Sequence, residues 1–141
     1  MTKQLSDADI IALSNYRMQR AKETLAEISN LRDMGYYNTA INRLYYACYY
    51  ASVALLVRQR INATTHAGVK QMLGLHFVSK QIISREAGRV FGILFDRRHS
   101  SDYDDFAYSS FEEVNELLPM AEAFINEIEE LLQKNKLEVI N

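Results

Sequence analysis

The sequence predicts an all-α protein, an antiparallel up-and-down four-helix bundle with an additional short helix. Apolar side chains recur at steps of three and four through most of the chain, which is helical spacing. The 141 residues include one Pro and five Gly, and so few of these punctuating residues argue for long uninterrupted elements. The stretch from Leu44 to Val57 is apolar on every face, with Ser52 its one clearly polar residue. A surface helix would show a single apolar stripe, so this one must be enclosed by others. The length fits one domain spanning 1–141, large enough to bury a core without metals or disulfides.

A first helix is predicted from about Ser6 to Arg32, with Ile10, Leu13, Tyr16, Ala21, Leu25, Ile28 and Leu31 in rhythm apart from one slip. Ser6 is its expected N-cap, Asp7 and Asp9 favour the positive end of the helix dipole, and Gly35 supplies the stop. The central helix follows, from Tyr36 to about Gln59. Thr64 or Thr65 then caps a third helix, from about His66 to Ser84, in which Gly68 and Gly74 are expected to permit close approach by a neighbour. A fourth runs from about Arg85 to Arg97. Arg98 to Phe106 breaks the periodicity and is expected to form a polar loop. The last helix starts near Ser109 or Ser110, where Ser110 and Glu113 have capping-box spacing, and Pro119 is expected to kink it. Connections this short leave antiparallel packing as the simplest arrangement.

The net charge of -2 gives no overall attraction to nucleic acid or anionic membrane. Arg85, Arg89, Arg97, Arg98 and His99 make the one basic concentration, bordered by Asp96, Asp102, Asp104 and Asp105, as a self-neutralising face would be. The central stretch is too short and too tyrosine-rich to span a bilayer, which takes roughly 20 apolar residues. The acidic N-terminus is unlike a signal peptide. A cytoplasmic location is therefore expected. Cys48, the lone cysteine, is expected to be a buried hydrophobe. The three histidines show no metal-ligand pattern, and no phosphate loop or nucleophile elbow suggests a cofactor or a catalytic nucleophile. His66 is expected near a helix start, and His76 in the core or an interface. Tyr45, Tyr46, Tyr49 and Tyr50 are expected to spread around the central helix and serve core and dimer packing, with a base-stacking platform as the other use. Arg43, a charge on an apolar helix, must be paired. The expected partner is a carboxylate among Asp102, Asp104 and Asp105, and the alternative role is an anion contact.

Three blocks in order, Ala40-Ile-Asn-Arg-Leu-Tyr-Tyr-Ala-Cys-Tyr-Tyr-Ala51, Thr65-His-Ala-Gly-Val69 and Arg97-Arg-His-Ser-Ser-Asp-Tyr-Asp104, resemble the HEPN domain family, and with the flanking helices the likeness covers essentially the whole chain. It implies a four- to five-helix bundle, often dimeric, in a small cytoplasmic prokaryotic protein. Many members are metal-independent ribonucleases, some of them toxins beside a minimal nucleotidyltransferase, with a site made of Arg, four to six residues and His. Arg98 matches the arginine, but Tyr103 stands five residues on and His99 is adjacent. Tyrosine, with a pKa of about 10, cannot readily carry the proton that imidazole carries. The resemblance therefore implies first a binding and assembly module, with a nucleotidyltransferase partner, nucleotide or RNA and with Arg43, Arg97, Arg98, His99 and Asp102 as binding residues. The alternative is a ribonuclease with a degenerate site, in which Arg98 holds the phosphate and Tyr103 replaces the histidine.

Overall fold

The computed structural model describes residues 4–103 and 108–134, with the side chains of 99–103 excepted. The helices are α1 (Asp7–Ala26), α2 (Ile28–Asp33), α3 (Tyr37–Arg58), α4 (His66–Leu73), α5 (Arg85–Tyr103) and α6 (Phe111–Lys134), with a π-helical segment, Gly74–Val78, continuing α4. Contacts across α1, α3, α5 and α6 fix their directions. Ser14 Oγ donates to the Ala54 carbonyl at 2.8 Å, while Arg43 reaches Thr24. Thus α1 and α3 run oppositely. Arg97 at the end of α5 meets Glu113 at the start of α6, and Ser84 before α5 meets Glu127 late in α6. Those two are antiparallel as well. Tyr37 packs on Phe111 and Arg58 on the Leu132 carbonyl, so α3 and α6 share a direction and the order is up, down, up, down.

Helix α3 touches α1, α2, α4, α5 and α6. This is what its all-round apolar surface requires. Leu44, Tyr45, Ala47, Cys48, Ala51 and Leu55 have no exposed surface, and burial pushes the Cys48 thiol far above its ordinary range. The thiol is a core hydrophobe.

The predicted caps form. Ser6 accepts from Asp9 N–H at 3.1 Å, Thr65 from Gly68 N–H at 2.9 Å and Ser110 from Glu113 N–H at 3.1 Å. Where the elements differ, local hydrogen bonding explains most of it. The first predicted helix divides at Glu27, because the Thr24 hydroxyl bonds the Arg20 carbonyl at 2.7 Å and Glu27 N–H turns to the Thr24 carbonyl. Such back-bonding competes with the helical ladder. The third becomes α4 plus the wider segment, in which Ser79 N–H reaches the Gly74 carbonyl five residues back. Its glycines also behave differently from expectation. A Cβ on Gly74 would meet nothing within 4 Å and one on Gly68 would meet the cap Thr65, whereas Gly88 in α5 has Val78 Cγ atoms 3.0 and 3.1 Å from where its Cβ would stand. The close approach is at Gly88.

The first part of the expected polar loop is helical instead, since α5 continues through Tyr103. Arg98 therefore stands on a helix. Asp104, Asp105 and Phe106 lie outside the described residues, as do the side chains of His99, Asp102 and Tyr103. Helix α6 runs through Pro119 as one element.

Candidate functional site

Tyr45 anchors the site from inside the core. Its ring has no exposed surface and stacks on Phe91 at 5.7 Å, which in turn stacks on Phe124 at 5.8 Å. An aromatic column thus crosses α3, α5 and α6. At its outer end the Tyr45 hydroxyl lies 2.8 Å from His66 Nδ1. The Thr65 cap begins α4 at His66, so a helix terminus delivers the imidazole to the tyrosine.

Tyr46, Tyr49 and Tyr50 are half-buried and continue outward from Tyr45. At 100° per residue the four tyrosines span an arc of roughly 140°, too narrow to surround the helix as expected. They form one cluster instead. Ring centroids of Tyr45 and Tyr46 are 5.3 Å apart, Tyr46 and Tyr50 are 6.1 Å apart, and His66 lies 4.5 Å from Tyr49.

Cations border this cluster. From α5 the Arg98 guanidinium stands 5.6 Å from the Tyr45 ring centre and 5.7 Å from that of Tyr46, and its Nη2 donates to the Tyr46 hydroxyl at 3.4 Å. Cation–π geometry of this kind helps hold a guanidinium in place. From α1, Arg20 lies 5.7 Å from the Tyr50 ring and is shared with Glu23 at 3.2 Å, while Arg17 lies near Tyr49 and tends to lower its pKa. The stronger effect on Tyr49 is burial, which raises it.

Burial also lifts the Tyr45 phenol well above its ordinary range, with Arg98 offsetting part of the rise. The phenol therefore keeps its proton. His66 moves the other way: partial burial first, and the neighbouring Arg98 charge second, hold its imidazole below the usual value and favour the neutral ring.

Arg43 and Arg97 separate from this group. Arg43 pairs with Glu27 at 3.3 Å and reaches the Thr24 hydroxyl at 3.4 Å. The expectation that it is paired holds, but its carboxylate comes from the α1–α2 junction, which the break at Glu27 brings within reach. Arg97 is engaged by Glu113 at 2.6 Å, the Ser109 hydroxyl at 3.1 Å and the Tyr108 carbonyl at 3.3 Å. It fastens α5 to α6. Helical backbone through Tyr103 sets positions 98 and 103 roughly 140° apart about the axis. Among the described side chains, the histidine near Arg98 is His66, from a distant block. Its place at a helix start was legible, but its neighbour was not, because no sequence period relates α4 to α5. His76 is half-buried in the π-helical segment. Among the described residues, no group of three His, Cys, Asp or Glu is placed to hold a metal ion, and no helix is long and apolar enough to cross a membrane.

Fold and site together define an all-helical bundle that presents a guanidinium and an imidazole on a tyrosine-rich face. Residues 14–131 match the HEPN domain, and the chain belongs to that family. It is 30% identical over 121 residues to a UPF0332 protein of Thermotoga maritima, covering 86% of this chain and 92% of the relative. It is also 30% identical over 132 residues to a Methanocaldococcus jannaschii protein named "Putative toxin MJ0605", covering 94% and 98% of the two chains. The fold resembles the crystal structure of an archaeal HEPN homologue, with a TM-score of 0.67 over 83% of this chain and 95% of that one at 17% identity.

Proposed function

We propose that this protein is a binding and assembly module of a toxin–antitoxin-like system, which takes a phosphate of RNA at Arg98 and docks with a protein partner such as a minimal nucleotidyltransferase. One observation carries the reading: Arg98 is held over two tyrosine rings at the edge of a half-exposed aromatic cluster. A guanidinium supplies the charge and the directed donors that phosphate takes, and adjacent rings accept bases by stacking. The toxin name of the archaeal relative supports the context. A cytoplasmic homodimer is the form we propose for it.

The ribonuclease alternative draws support from the imidazole near Arg98, since cleavage through the ribose 2′-hydroxyl needs a proton carrier. One experiment separates the two. Binding and cleavage of a single-stranded RNA are measured for the wild type, Arg98→Ala and Tyr103→His. The module reading expects binding without cleavage by the wild type and a loss of about tenfold or more in affinity in Arg98→Ala. Robust cleavage by the wild type, abolished in Arg98→Ala, would establish the enzyme instead.

A further inference from the structure

Among the described residues, Arg17 of α1 is a half-buried cation whose neighbours are rings. Its Nε is buried without a hydrogen-bond partner, and beside the guanidinium stand Tyr16, with its ring centre at 5.9 Å, and Tyr49. Carboxylates on the same stretch are taken by other arginines: Asp7 by Arg60, Glu23 by Arg20 and Glu27 by Arg43. Partial removal of a guanidinium from water costs stability unless an anion accompanies it. Rings at its side favour an anion that carries flat groups of its own.

The rest of the seam between α1 and α3 has the same chemistry. Arg20 follows Arg17 by about one turn and lies 5.7 Å from the Tyr50 ring. Its pair with Glu23 joins side chains 35% and 48% exposed, which water screens, so the guanidinium can turn to a phosphate. Across the seam, Tyr46, Tyr49 and Tyr50 are half-buried, with the Tyr50 ring 6.1 Å from each of the others, and Tyr16 is 56% exposed. Two cations thus border a strip of rings. We infer that single-stranded RNA follows this seam, with phosphates at Arg17 and Arg20 and bases against the tyrosines between them. The inference rests on the RNA reading and extends it from a single phosphate contact to a track that reaches α1.

A ligand track and a packing device differ in two measurable ways. Each phosphate that a guanidinium neutralises releases counterions, and for a single strand this steepens the slope of log affinity against log salt by about 0.7. Base stacking adds affinity that is tolerant of sequence. In the free protein, Arg17 opposes folding relative to an apolar side chain of similar length, because its charge is partly desolvated and its Nε has no partner. Arg17→Met should therefore weaken RNA binding while holding the fold as well as the wild type or better. An arginine retained for packing and hydrogen bonding would lose stability on the same change.

The full-length protein is titrated with a fluorescently labelled oligouridine at several salt concentrations, as wild type, Arg17→Met, Arg20→Met and Arg98→Ala. Urea midpoints and sedimenting mass are measured on the same samples. Each α1 variant is expected to lower affinity about three- to tenfold and the salt slope by about 0.7, with the urea midpoint of Arg17→Met at or above that of the wild type. Arg20→Met, on a partly exposed side chain, keeps the test independent of folding. If RNA binding needs Arg98 and ignores both α1 variants, the track is wrong and the RNA reading survives. If binding needs Arg17 and Arg20 but not Arg98, the track stands and the Arg98 site falls. If the wild type binds no RNA, both fail. A lower urea midpoint for Arg17→Met at unchanged affinity would make Arg17 a packing residue, and a changed mass at unchanged affinity would make the seam a subunit interface. Either result overturns the inference.

Discussion

Arg97 and Glu113 meet at 2.6 Å, joining the end of α5 to the first turn of α6. The same guanidinium reaches the Ser109 hydroxyl and the Tyr108 carbonyl, so one side chain holds both approaches to the intervening segment. Its neighbour in sequence, Arg98, turns to the tyrosines. Adjacent arginines thus have separate tasks. Arg97→Ala is expected to destabilise the fold by about 1 kcal/mol, seen as a lower urea midpoint, and to leave RNA affinity within about twofold of the wild type. Arg98→Ala is expected to reverse that pattern.

Arg58 is only 4% exposed, and donates to Asn15 Oδ1 at 3.1 Å and to the Leu132 carbonyl at 3.3 Å. Leu132 lies in the last turn of α6, where carbonyls lack helical partners and a cation is favoured. Removing the side chain takes away these bonds and its packed stem. Arg58→Ala is expected to cost about 2–3 kcal/mol of stability, measured by urea denaturation. Arg58→Met, which keeps most of the volume, is expected to recover the greater part.

His66 makes stability depend on pH. Its folded pKa lies below the ordinary value, chiefly through burial and then through Arg98, so the unfolded chain binds the proton more readily. The contribution is complete above the unfolded pKa of about 6.5 and is lost as pH falls from there through the folded pKa. Urea midpoints of the wild type and His66→Gln, compared on either side of that window, should show the wild type losing more on acidification.

Two glycine substitutions should have opposite signs. Gly88→Ala would place a methyl group 3.0 Å from Val78 and is expected to cost about 1–3 kcal/mol. Gly74 has helical backbone angles and open space around it, so Gly74→Ala is expected to gain about 0.5–1 kcal/mol. Thermal melts of both variants test the packing of the π-helical segment against α5.

Features fixed by neighbours along the chain were legible in the sequence. The caps at Ser6, Thr65 and Ser110, the enclosed α3 and the buried Cys48 each follow from a period or a composition within one segment. Side-chain choices among several available partners were not. Arg43 had acidic residues on offer in several blocks, and its pairing with Glu27 depends on a helix break set by the Thr24 hydroxyl. The meeting of His66 with Tyr45 and Arg98 depends on how three helices cross. Periodicity predicts that they pack but is silent on their relative height.

The Tyr45–Phe91–Phe124 column sets the floor of the proposed phosphate site among the three main helices. Local fraying of a helix end can expose His66, but moving Tyr45 requires the three main helices to part. Amide exchange near Tyr45 should therefore track global unfolding, and ligand occupancy should hold its level on heating until the domain itself melts. For this protein, heat would act on recognition as a threshold instead of a gradual dial.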